Sequence, residues 1–161
     1  MTHRTGAAAA WALPLLLSAA CAPPAEIPST FHGSWSASGR RHTLPTEGSR
    51  AAALVQLSGA VVLNAPAAGF QGEAIAFDDG GSVSAGRAVW TDAHGDRLFS
   101  AFTSDSLQSG KHIVATITGG TGRYAGATGD YTLTWQYLVA GEDEAVQGRT
   151  VDLQGRFSVG N

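Results

Sequence analysis

The chain has 161 residues, with 10 Lys and Arg against 13 Asp and Glu for a formal net charge of −3, a size that fits one domain with a real core and leaves no room for two. No run of Lys and Arg supplies the basic face that a nucleic-acid partner needs. Glycine is abundant at 21 residues while the usual fillers of helix surfaces are sparse, which points to β structure and away from long helices.

The first segment, Met1 to Ala20, has the order of an export signal: His3 and Arg4 at the front, an apolar run from Ala7 to Leu17, then small residues before Cys21. The run is too short to read as a spanning helix. Leu17-Ser18-Ala19-Ala20-Cys21 is similar to a lipoprotein cleavage site, and Cys21 is the one cysteine of the chain. Residues 1–20 are therefore read as a lipoprotein signal peptide and 21–30 as a lipidated Cys21 with its tether, which includes Ala22-Pro23-Pro24-Ala25-Glu26-Ile27-Pro28. The expected partner is a membrane reached through acyl chains on Cys21. Ala22, where Asp would signal retention, makes the periplasmic face of the outer membrane the expected location. The plainer alternative is simple secretion with Cys21 left as a free thiol.

From Phe31 onward, residues 31–161 break into runs punctuated by Gly, Asp, Asn and Pro, the rhythm of a sandwich or barrel. Eight strands are expected, near Gly33–Thr43, Ala51–Leu63, Gly69–Phe77, Gly81–Trp90, Asp96–Asp105, Lys111–Thr118, Tyr131–Ala140 and Gln147–Val159. In the third and fourth, Glu73 and Arg87 share a side with apolar neighbours (Ile75 and Phe77; Val83, Ala85 and Val89), so both are candidates to point inward and hold a ligand. Trp35, Trp90, Phe99, Phe102, Trp135 and Tyr137 are candidates for core or cavity wall, and Trp90, Trp135 and Tyr137 join Glu73 and Arg87 as ligand-binding candidates.

In the seventh run Tyr131, Leu133, Trp135, Tyr137 and Val139 share one side. In the eighth Val151, Leu153, Gly155, Phe157 and Val159 do. Eight antiparallel strands in an open sheet would leave two edges, and closure removes them, so the expected fold is an all-β, eight-stranded antiparallel barrel.

Between the sixth and seventh runs lies Val114-Ala115-Thr116-Ile117-Thr118-Gly119-Gly120-Thr121-Gly122-Arg123-Tyr124-Ala125-Gly126-Ala127-Thr128-Gly129. This segment resembles the strand and glycine-rich turn of the allene oxide cyclase and dirigent barrel superfamily. The resemblance implies an eight-stranded barrel with an apolar cavity, and trimers are common in that superfamily, so a homo-oligomer is a possible partner arrangement. None of its catalytic residues maps onto a position here. Gly119, Gly120, Gly122 and Gly126 are read as structural turn residues, several of them needing positive φ or close packing. The same glycines resemble a dinucleotide-binding turn, but an alternating strand follows where that fold needs a helix.

His3, His32, His42, His94 and His112 form no short-spaced metal-ligand pair, so no metal and no cofactor is expected, and no Gly-x-Ser-x-Gly elbow supports a serine hydrolase. Three functions stay open. The first is a binding or structural module able to hold a small apolar ligand, and the alternative is a cyclase or dirigent-like enzyme acting on a hydrophobic intermediate in the cavity. The third is a partner-binding domain using an exposed apolar patch.

Overall fold

The computed structural model describes residues 29–48, 50–64, 67–81, 84–105, 108–141 and 144–160. The export signal, Cys21 and the Pro-rich tether lie outside the described residues. Eight strands follow in chain order: β1 Ser29–Pro45, β2 Ala51–Asn64, β3 Ala67–Asp78, β4 Ser84–Asp92, β5 Arg97–Ser104, β6 Lys111–Gly120, β7 Thr128–Ala140 and β8 Ala145–Ser158. Each pairs antiparallel with the next, and β8 returns to pair with β1, so the sheet is a closed barrel. All eight expected runs are strands. β1 starts at Ser29, ahead of Phe31.

Alternation along each strand sends every second side chain inward. β2 shows it plainly: Ala53, Val55, Leu57, Val61 and Leu63 are buried, while Leu54, Gln56, Ser58, Ala60 and Val62 face out. The interior is filled by aromatic rings. Trp90 lies 4.9 Å from Tyr131, 5.9 Å from Phe70 and 6.1 Å from Phe31 between ring centroids, and Trp35 lies 5.2 Å from Trp135.

Room for these rings comes from glycines on other strands. A Cβ on Gly86 would sit 2.2 Å from Phe102 Cζ, and one on Gly148 would sit 2.4 Å from Trp135 Cζ2. On Gly72 it would come within 3.0 Å of Trp35 Nε1. Large rings and missing side chains are thus matched across the interior.

The last two strands depart from simple alternation. β8 carries a bulge: Thr132 faces Gln154 while Thr134 faces Val151, and Asp152 adopts φ 58°, the left-handed conformation that Asp tolerates better than most residues. Side chains before the bulge (Val146, Thr150) and after it (Leu153) all reach the core, so Val151 does not share Leu153's side as the strict alternation expects. The bulge also diverts a ladder bond, because the Trp35 backbone N–H donates to Thr150 Oγ1 at 2.8 Å. In β7 a second irregularity between Tyr137 and Val139 turns Val139 out to 52% exposure, against the expected run of inward residues.

Candidate functional site

The glycine-rich segment closes one part of the barrel rim. Gly122–Tyr124 is a single 3-10 turn that leads directly into β7, with no helix of the kind a dinucleotide site requires. Gly119, Gly122 and Gly126 take φ of 146°, 55° and 71°, the conformations for which glycine is suited. Gly120 does not; a side chain there would collide with backbone.

Around this turn a polar clasp joins the β4–β5 and β6–β7 connections. Asp92 Oδ1 accepts the backbone N–H groups of His94 at 2.7 Å and Asp96 at 3.1 Å, and Arg123 Nε lies 3.0 Å from Asp92 Oδ2 and 3.4 Å from Asp96 Oδ2. Arg123 Nη2 also meets His94 Nδ1. Tyr124 is buried with its ring 5.8 Å from Phe70, and its hydroxyl hydrogen-bonds to Asp92. Burial pushes the Tyr124 hydroxyl pKa up, and the bond to Asp92 adds to the shift. These are the contacts of a fastening rather than of a catalytic centre.

The Asp92 carboxyl is held below the usual aspartate range. Burial acts in the opposite direction, but the two backbone N–H groups, the Tyr124 hydroxyl and the Arg123 charge together outweigh it. A carboxyl whose pKa is lower folded than unfolded adds stability that is present above its unfolded pKa and is lost as pH falls through the folded one. Urea midpoints should therefore drop as pH falls below about 4, and Asp92→Asn should be less stable at neutral pH and lose part of that acid-side slope. Identical slopes for parent and variant would show that the clasp carries no such linkage.

At the other end of the interior lies a cavity of about 40 Å³ bordered by Trp35, Leu57, Ala74, Lys111, Trp135 and Tyr137, among others. A second, of about 20 Å³, lies deeper against Trp90, Phe102 and Tyr131. Tyr131 is pushed up to about 12 by burial, with the hydrogen bond to Ser100, 2.7 Å between the two oxygens, working the other way. It keeps its proton across the physiological range.

Tyr137 is also raised, first by burial; Arg41 opposes that shift and Asp78 reinforces it. Asp78 is buried and accepts the Gly80 backbone N–H through Oδ1 at 2.9 Å, while Arg41 is half-buried with an Nε that finds no acceptor among the described residues. Arg41, Asp78 and Tyr137 thus converge electrostatically at this end.

Of the ligand-binding candidates, Trp135 and Tyr137 meet at the larger cavity, with rings 6.0 Å apart and nearly perpendicular. Trp90 belongs to the deeper aromatic cluster. Glu73 and Arg87 are corrected: both point out of the barrel, Glu73 exposed beside the exposed Ile75 and Phe77, and Arg87 Nη1 donating to its neighbour's carbonyl on Gly86 at 3.1 Å. The physical reason is volume. Beyond Phe70 the inward side of β3 is Gly72, Ala74, Ala76 and Asp78, and Trp35 occupies the space in front of Gly72, so the bulkier Ile75 and Phe77 fall outside. Phe99 likewise leaves the expected interior set, because its strand turns Leu98, Ser100 and Phe102 inward.

Arg41 and Asp78 went unread in the sequence. Each continues the parity of an inward series, Trp35-Ala37-Gly39-Arg41 and Phe70-Gly72-Ala74-Ala76-Asp78, a signal visible only once the small-residue side is known to be the inner one.

Outside, Leu54 on β2 faces Phe77 on β3, and Leu44 projects nearby on β1. All three are exposed, at 41%, 54% and 68% for Leu54, Phe77 and Leu44. No protein-family model and no curated protein matches this chain.

Proposed function

We propose that this chain is an envelope lipoprotein, anchored through Cys21, whose barrel is a binding or structural module able to hold a small ligand. The observation that carries the second half is the filled interior. Rings of Phe31, Trp35, Trp90, Tyr131 and Trp135 occupy the barrel, and the cavities of about 40 and 20 Å³ beside them have no carboxylate or imidazole among their described lining residues. A cyclase acting on a hydrophobic intermediate asks for a pocket of roughly 300 Å³ or more with an acid or base in reach.

The order of strands and the glycine-rich turn support likeness to the allene oxide cyclase and dirigent barrels in architecture, and give no ground for their chemistry. A second reading, a partner-binding domain, draws on the exposed Leu44, Leu54 and Phe77.

Anchoring is tested by expressing the parent and Cys21→Ser in a bacterial host. The parent should sediment with membranes and carry the added mass of acyl chains, and Cys21→Ser should do neither. A parent recovered in the soluble fraction with a free thiol would replace the anchor with simple secretion. A native mass spectrum of the purified parent then reads oligomeric state and any retained small molecule.

A further inference from the structure

Two buried indole donors border the larger cavity, alongside the Gln108 amide and the Tyr137 hydroxyl. Trp35 and Trp135 both border it and are both more than nine-tenths buried, and neither indole N–H has an acceptor among the described residues. Trp135 Nε1 lies near the Tyr137 hydroxyl without reaching hydrogen-bond geometry. Arg41, whose charge is felt at Tyr137, brings a third buried donor in the same condition, and Lys111 stands at the cavity wall. Trp, Arg and Lys donate and do not accept, so what remains unpaired here calls for an acceptor.

Charge agrees. Among the described residues that line the cavity the one charged side chain is the cation Lys111, and the charge of Arg41 reaches Tyr137 on its wall. Size narrows the class. One water-sized occupant needs roughly 10–15 Å³, so a cavity of about 40 Å³ takes a molecule of only a few heavy atoms and excludes long acyl chains.

We infer that this cavity binds a compact carboxylate of acetate or propionate size. The indole N–H groups of Trp35 and Trp135 would take its oxygens, Lys111 and Arg41 would balance its charge, and its alkyl end would rest on Ala74 and Ile113. An ammonium ligand of the same size would leave both indole donors unpaired. The inference rests on the reading of the barrel as a binding module and names what it holds.

The test is a titration of the full-length, ¹⁵N-labelled protein with sodium acetate, against sodium chloride and methylammonium chloride at matched ionic strength. It follows the indole N–H signals, assigned with Trp35→Phe and Trp135→Phe. Acetate should move the Trp35 and Trp135 signals downfield to saturation, and the two controls should not. Lys111→Gln, at an exposed position that leaves the core intact, should raise the half-saturating acetate concentration about tenfold.

Shifts that chloride reproduces, or indole signals that acetate leaves unmoved, overturn the inference. If a native mass spectrum of the same sample then retains an uncharged small molecule, only the carboxylate class falls and the binding module stands. A bare spectrum removes the binding reading as well and leaves the barrel a structural module.

Discussion

Trp90→Ala is expected to destabilise the barrel by about 3–5 kcal/mol, against the roughly 5–15 kcal/mol that holds a typical domain folded. Trp90 is 5% exposed and packs at once on Phe31, Phe70 and Tyr131, rings contributed by β1, β3 and β7. Removing the indole deletes contacts to three strands and enlarges the cavity of about 20 Å³ already beside it, and the closed sheet restrains collapse into that space. Urea unfolding reads the effect. Phe77→Ala is the control: the ring is large but 54% exposed on the outer face, and its loss should shift stability by only about 0.5 kcal/mol. Equal losses from the two would mean that the interior rings do not hold the barrel together.

The second large effect is expected at Gly120. A Cβ there would lie 2.4 Å from the Tyr124 carbonyl oxygen, 2.5 Å from that of Arg97 and 2.7 Å from Tyr124 Cβ. Neither carbonyl is free to retreat, since Arg97 O accepts the Thr121 N–H at 2.8 Å and Tyr124 O accepts the Ala127 N–H at 3.0 Å. Gly120→Val must therefore break part of the turn, at a cost at or above the top of the roughly 1–3 kcal/mol range for overpacking. Gly119 separates crowding from backbone strain. It has φ 146°, but a Cβ added there would meet nothing within 4 Å, so Gly119→Ala should lose about 1–2 kcal/mol from conformation alone. Thermal melts should rank parent above Gly119→Ala above Gly120→Val. The reverse order would place the turn's requirement in φ rather than in space.

The fold was legible because its signal is repeated. Each of eight runs alternates and ends at Gly, Asp, Asn or Pro, and an unpaired edge on so long a sheet is costly enough to favour closure. What alternation cannot say is which side is inner. Around Glu73 the apolar Ile75 and Phe77 lie outside, whereas the inner side is glycine and alanine because rings from other strands fill the space before them. That is a property of residues far apart in sequence, and it hid Arg41 and Asp78 while it misplaced Glu73 and Arg87. Trp135 and Tyr137 border the larger cavity because the aromatic side of β7 is its inner one, whereas on β3 Phe77 faces out. The bulge at Asp152 was invisible for a simpler reason: one extra residue reverses parity, and the text of the strand reads as regular on both sides of it.

The closure of β8 onto β1 also has a kinetic consequence. Every other pairing joins consecutive strands and can form as a local hairpin, but the seam brings together groups such as the Trp35 N–H and Thr150 Oγ1, 115 residues apart. Its loop-closure entropy is recovered only when the rest of the sheet already holds the two ends near each other. Folding should then be slow for a chain of this length, with zipping of the meander ahead of the seam. Until that last ladder forms, β1 and β8 present bare edges, and in that interval another copy of the chain competes with the barrel's own final strand.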